Sequence, residues 1–185
     1  MSSGPADILL MGDPRLREAS RPVDDVRDPV FTAQAATLAA TLAAFREAHG
    51  FGRAVSAPQI GVSRRFICVN LDGNPRTLVN PEITWRAPET FTLWDDCMSF
   101  PYLLVRVARH ASVSVRFLDE TGSTHQWEAL DRATSELLQH EIDHLDGVLA
   151  VDRALDRDSL VSREVFEADP ERFAEMVDYV IGSDS

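Results

Sequence analysis

Two histidines four residues apart, with a glutamate directly after the first, constrain this chain more than any other feature: the run is His140-Glu141-Ile142-Asp143-His144. Positions four apart share a face of an α-helix, so both imidazoles can meet one ion while Glu141 lies beside them. The pattern predicts a helix from about Asp131 to Leu145, closed by Gly147. Imidazole nitrogens bind borderline metals, and a glutamate beside an open coordination position can take a proton from an activated water. The competing account is two solvated histidines and a coincidental acid. Histidine is scarce here, five in 185 residues, so two at this spacing argue for a metallohydrolase helix.

Two histidines leave the third ligand open, and with it the class of hydrolase. A protease of the zincin kind would place a histidine or glutamate downstream. No histidine follows His144, and Glu164, Glu167, Glu171 and Glu175 read as an ordinary solvated face. Upstream, Cys97 sits in Asp95-Asp96-Cys97-Met98-Ser99-Phe100-Pro101, a junction where a strand end can project a side chain into a cleft. A thiolate there is the better third ligand, and it suits ferrous iron as well as zinc. The other cysteine, Cys68, lies in the apolar run Arg65–Leu71 and reads as core. Two cysteines make a disulfide framework improbable.

Around the helix the chain reads as α+β, one domain over 1–185. An extended arm covers Ile8 to Leu16, and alanine-rich helical spacing runs from Pro29 to His49, stopped by Gly50. A loop punctuated by Gly50, Gly52, Pro58 and Gly61 follows. Antiparallel strands are expected at Arg65–Leu71, Thr77–Trp85, Phe91–Trp94, Ala111–Leu118 and Thr124–Glu128, and a short one at Val148–Val151. From about 159 the tail looks helical and acidic, interrupted at Asp169-Pro170.

The formal charge is −12 with no basic stripe, which argues against a nucleic-acid partner. No leader pattern and no stretch long enough to span a bilayer are found, so no membrane partner is expected and the location reads as cytoplasmic.

The chain resembles the peptide deformylases from Ile8 to about Arg153. Gln139-His140-Glu141-Ile142-Asp143-His144-Leu145-Asp146-Gly147-Val148-Leu149, with Asp152-Arg153, matches that family's QHExDHLxGxL signature and its flank. Asp95-Asp96-Cys97-Met98-Ser99 looks like its EGCLS motif, and Gly52-Arg53-Ala54-Val55-Ser56-Ala57-Pro58-Gln59 like its glycine-rich motif ending in glutamine. Gly12-Asp13-Pro14-Arg15-Leu16-Arg17 is similar to its N-terminal segment. The resemblance implies small antiparallel sheets around a central helix carrying the HExxH motif, and removal of a formyl group from an N-formylmethionyl peptide. It implies one divalent metal, iron first and zinc, nickel or cobalt as alternatives, on Cys97, His140 and His144. Glu141 would shuttle the proton, and the Gln59 side chain with the Met98 backbone N–H would meet the oxyanion. Asp143 would support a ligand or bond locally.

The departures cluster at the site. Ala54 and Asp96 stand where the family has glycines, Asp95 replaces a glutamate, and Arg53 occupies an apolar position. Glu136 lies one turn before His140, where an apolar residue would line a methionine pocket. With Val55 and Leu137, these residues are the expected substrate contacts. The charges could pair among themselves or with Arg109 across the cleft mouth, and an Arg53–Glu136 pair would fill or reshape the pocket. The substrate expected is a formylated peptide or small formamide. The alternative is a metal-bound protein of this kind with altered or lost specificity. The acidic tail argues against docking on ribosomal phosphates.

Overall fold

The structure, a computed structural model, describes residues 4–182. Helix α1 (Pro29–His49) begins where Asp28 caps the Val30 N–H and Pro29 takes the first turn, and it ends at Gly50 in the left-handed region. Strands β1 (Ala54–Ser56), β2 (Phe66–Val69) and β3 (Arg76–Arg86) follow, then β4 (Thr90–Asp96), β5 (Leu103–His110), β6 (Val113–Leu118) and β7 (Thr124–Trp127). Helix α2 (Arg132–Leu145), short strand β8 (Leu160–Ser162), α3 (Arg163–Ala168) and α4 (Pro170–Ala174) complete the order. One sheet runs β1-β2-β3-β6-β7 and the other β4-β5-β8, with every neighbouring pair antiparallel. The fold is α+β, as the sequence predicts.

Helix α2 is wedged between the two sheets, and its two faces differ in chemistry. Leu137, Leu138, Ile142 and Leu145 pack with Ile67, Leu78, Val113 and Val115 of the larger sheet. The opposite face carries His140, Asp143 and His144 toward the smaller sheet, whose Asp95, Cys97 and Arg109 meet them. On the far side of β1 and β2, α1 buries Phe31, Leu38 and Leu42 against Val55, Phe66 and Cys68. Cys68 is therefore core, and burial pushes its thiol up to about 12.

The N-terminal arm ties the pieces together. Leu9 N–H donates to the Gln59 carbonyl at 2.8 Å and Met11 N–H to the Ser99 carbonyl at 2.7 Å. Further on, Gly147 adopts φ +73°, and a Cβ there would lie 2.5 Å from the Arg17 carbonyl oxygen. Only glycine lets the chain turn that closely under the arm.

Three local expectations are corrected. Strand β5 was not foreseen, because Arg106, Arg109 and His110 interrupt its apolar pattern; Arg109 is nonetheless buried through its ion pairs. The segment expected as a strand at Val148–Val151 instead enters a 3₁₀ turn, Ala150–Arg153, in which Asp152 accepts from Leu149 N–H at 2.8 Å. The tail opens with β8 on β5 before becoming helical, and Asp169 caps α4 at the expected break. No helix among the described residues is long and apolar enough to cross a membrane.

Candidate active site

The last two turns of α2 and the end of β4 converge on one point. His140 Nε2 and His144 Nε2 lie 3.2 Å apart, and Cys97 Sγ is 3.2 Å from His144 Nε2. All three ligand atoms fall within 4.8 Å of one another, and all three residues are buried. Two nitrogens bonded tetrahedrally to one ion at ~2.0–2.1 Å would sit about 3.3 Å apart, so the observed spacing suits a shared ion. The sulfur is further oriented by Ser99 N–H at 3.4 Å and the Gln59 side-chain amide at 3.5 Å.

Most polar side chains on this buried stretch are tied to another element, His144 Nδ1 being left without a hydrogen-bond partner among the described residues, and those ties are how so polar a helix tolerates burial. Asp95 accepts from His140 Nδ1 at 2.9 Å and from Arg109 Nη2 at 2.9 Å. Burial alone would lower the His140 pKa, but Asp95 outweighs it and holds the imidazole well above its usual range. His144 is driven the other way, well below, by burial and by the neighbouring His140. Arg109 also donates to Asp143, which takes two further bonds from Arg153 at 2.6 Å. Gln139 clamps the end of β5, accepting from His110 N–H at 2.9 Å and donating to His110 O at 3.0 Å.

Glu141 points from α2 toward β1, where the Ser56 hydroxyl donates to its carboxylate. Burial raises its pKa, against the opposing pull of His140 and Ser56. Gln59 follows in the 3₁₀ turn Ala57–Ile60 and is nearly fully buried. Its Oε1 accepts from Ser56 N–H at 2.9 Å, and that bond fixes which face of the amide turns to Ser99 and Cys97. The Met98 backbone N–H makes no hydrogen bond among the described residues.

These groups open onto a cleft of about 710 Å³. Of the expected substrate contacts, Arg53, Ala54, Asp96, Glu136 and Leu137 line it. Arg53 and Glu136 form an ion pair, with the carboxylate nearly fully buried. Burial pushes Glu136 up to about 7 despite Arg53.

One contact expected from the sequence is corrected. The Val55 side chain turns into the α1 core, because alternate residues of β1 face opposite sides. Asp95 also lines the cleft, and its two oxygens bond His140 and Arg109. Its pairing with Arg109 is buried, not at the mouth. Asp96 pairs with Arg163 of α3 at 2.8 Å.

Sequence reasoning missed Ser56 and the supporting role of Asp95. Ser56 left one signal, a lone hydroxyl in an otherwise apolar stretch two residues before a proline. It also missed the tail as a wall: Arg163, Phe166, Val177 and Ile181 line the cleft. That wall is anchored by Trp94 Nε1–H donating to Phe173 O at 2.9 Å and Thr92 N–H to Asp178 at 2.9 Å.

Comparison with known proteins gives a consistent result. The family profile described as polypeptide deformylase matches residues 5–159. A peptide deformylase of Thermotoga petrophila is 34% identical over 79% of this chain and 85% of its own. One of Treponema pallidum is 35% identical over 80% and 86%. Among solved structures, a Synechococcus elongatus peptide deformylase in complex with actinonin superposes with a TM-score of 0.76 at 29% identity, covering 92% of this chain and 87% of that one. A Met-Ala-Ser bound peptide deformylase of Acinetobacter baumannii gives 0.72 at 26%, covering 82% and 99%.

Proposed function

The chain belongs to the polypeptide deformylase family, and from that premise we propose that it removes the formyl group of an N-formylated peptide at one divalent metal held by Cys97, His140 and His144. The observation that carries this reading is the convergence of one sulfur and two imidazole nitrogens beside a buried glutamate. Three buried donors at these separations have no better partner than a cation. Bound there, the metal would supply a Lewis acid for the formyl oxygen and lower the pKa of a water.

The chain's own residues supply the rest. Glu141 takes the proton of the attacking water and delivers it to the departing amine, a role favoured by the burial that raises its proton affinity. Ser56 holds that carboxylate in place. The Gln59 amide and the free Met98 N–H would donate to the oxygen that gains charge as the carbonyl becomes tetrahedral. Asp95 orients His140, with Arg109 and Asp143 behind it, an outer layer of the kind that stiffens metal ligands.

A thiolate with two imidazoles favours ferrous iron and accommodates zinc, nickel or cobalt. The substrate read from the family is an N-formylmethionyl peptide or a related formamide. The test is metal analysis of protein purified without oxygen, together with formate release from formyl tripeptides. Stoichiometric metal with turnover supports the reading. Metal-loaded protein that releases no formate from any formylated amine contradicts it.

A further inference from the structure

Arg53 and Glu136 place a charged pair where a substrate's first side chain must pass. Arg53 leaves the loop before β1 and reaches the first turns of α2, where Nη1 donates to Ala133 O at 3.0 Å and Nη2 pairs with Glu136 Oε1. Glu136 is about one helical turn before His140, a rise of about 6 Å along the same face. Both side chains line the cleft that contains Cys97, His140 and Glu141. In a formylated peptide the first Cα is only two bonds from the formyl carbon. A formyl group seated at the three ligands therefore brings the first side chain to within a few ångströms of this pair.

The pair is unevenly covered. The Arg53 side chain is 32% exposed and Glu136 only 2%. Glu136 Oε2 makes no hydrogen bond among the described residues. An apolar side chain laid against them would strip water from the guanidinium, which carries nearly all of the pair's exposure, and return no hydrogen bond. A short side chain leaves the pair hydrated. A hydroxyl can donate to Oε2, which has no hydrogen-bond partner among the described residues.

We propose that the Arg53–Glu136 pair is a specificity filter selecting formylated peptides whose first residue is small or hydroxyl-bearing, such as alanine or serine, over those beginning with methionine. This rests on the deformylation reading above and names the substrate class of the same site. Arg53 and Glu136 are specificity residues here, with no part in proton transfer.

The experiment compares formyl-Ser-Ala-Ser with formyl-Met-Ala-Ser on the metal-loaded protein, as a ratio of kcat/KM. The wild-type protein should favour serine, and a methionine preference overturns the filter. Replacing the pair with R53L/E136L should raise the Met-to-Ser ratio by roughly tenfold or more, equivalent to about 1.4 kcal/mol; a smaller rise overturns it. E136Q preserves shape and decides the matter if the double variant fails to fold: it should shift the ratio toward methionine, and an unchanged ratio counts against the filter. Calorimetric binding of the deformylated peptides separates the two readings. Tighter Ser-Ala-Ser binding without formate release sustains the filter and defeats the activity, whereas formate release with tighter Met-Ala-Ser binding does the reverse.

Discussion

The two ends of helix α2 both bury charge, but to different ends. In its last turns the charged side chains are bonded across to other elements: His140 to Asp95, Glu141 to Ser56, Asp143 to Arg109 and Arg153, while His144 Nδ1 has no hydrogen-bond partner among the described residues. In its first turns Glu136 meets Arg53 inside the cleft wall, and one face of that pair remains open to whatever enters. The first arrangement fixes ligands; the second sets what the ligands will see. The family's HExxH motif lies at the ligand end, backed by the shortened Asp95, whereas the charged departures Arg53 and Glu136 meet at the first turns. On the proposed reading, reaction chemistry and substrate choice fall to separate stretches of one helix.

That separation can be broken by substitution. The largest effect is expected at the ligand end. C97A should lose stoichiometric metal and reduce formate release to background, whereas E141Q should keep the metal and lose about 10²–10⁴ in kcat. Full metal retention by C97A, measured by elemental analysis, would instead favour a third ligand elsewhere. Next comes the layer behind the ligands. Arg109 is almost completely buried between Asp95 and Asp143, so R109L strands two carboxylates and should cost ~3–5 kcal/mol in urea unfolding. R53L, at the open end, should cost clearly less.

A pH dependence sharpens the contrast at the first turns. Burial lifts Glu136 from 4.5 to about 7, so the folded state binds its proton more tightly than the unfolded state. Stability from this group is greatest below about 4.5, falls as pH rises through 7, and the loss is complete above that. The difference between wild type and E136Q should slope over that window with a total on the order of 3 kcal/mol. A flat difference would mean that Arg53 keeps Glu136 charged throughout. The smallest effect concerns the acidic tail. Co-sedimentation with ribosomes at low salt should show no tight binding, and a salt-sensitive complex would overturn that expectation.

Much of the ligand end was legible in the sequence because helical spacing is strict: His140, Glu141 and His144 must share a neighbourhood once the helix is granted. The Arg53–Glu136 pair was legible for the same reason, since Glu136 is one turn from His140. What could not be read was anything set by pairing between distant strands. Strand β5 hid because a buried arginine looks like a surface residue until its two carboxylates are in view. That Val55 faces the α1 core was hidden because a three-residue strand offers too little alternation to fix its register. The tail's role as a wall depends on Trp94 and Thr92, more than seventy residues upstream of their partners Phe173 and Asp178, and no local pattern announces it.

The arm's two backbone bonds, from Leu9 to Gln59 and from Met11 to Ser99, have a consequence for precision. Gln59 belongs to the larger sheet's side of the cleft and Ser99 to the smaller sheet's, directly after Met98. Two residues of chain span about 7 Å at most. The arm therefore acts as a short gauge block laid across the seam, limiting how far the Gln59 amide and the Met98 N–H can drift apart.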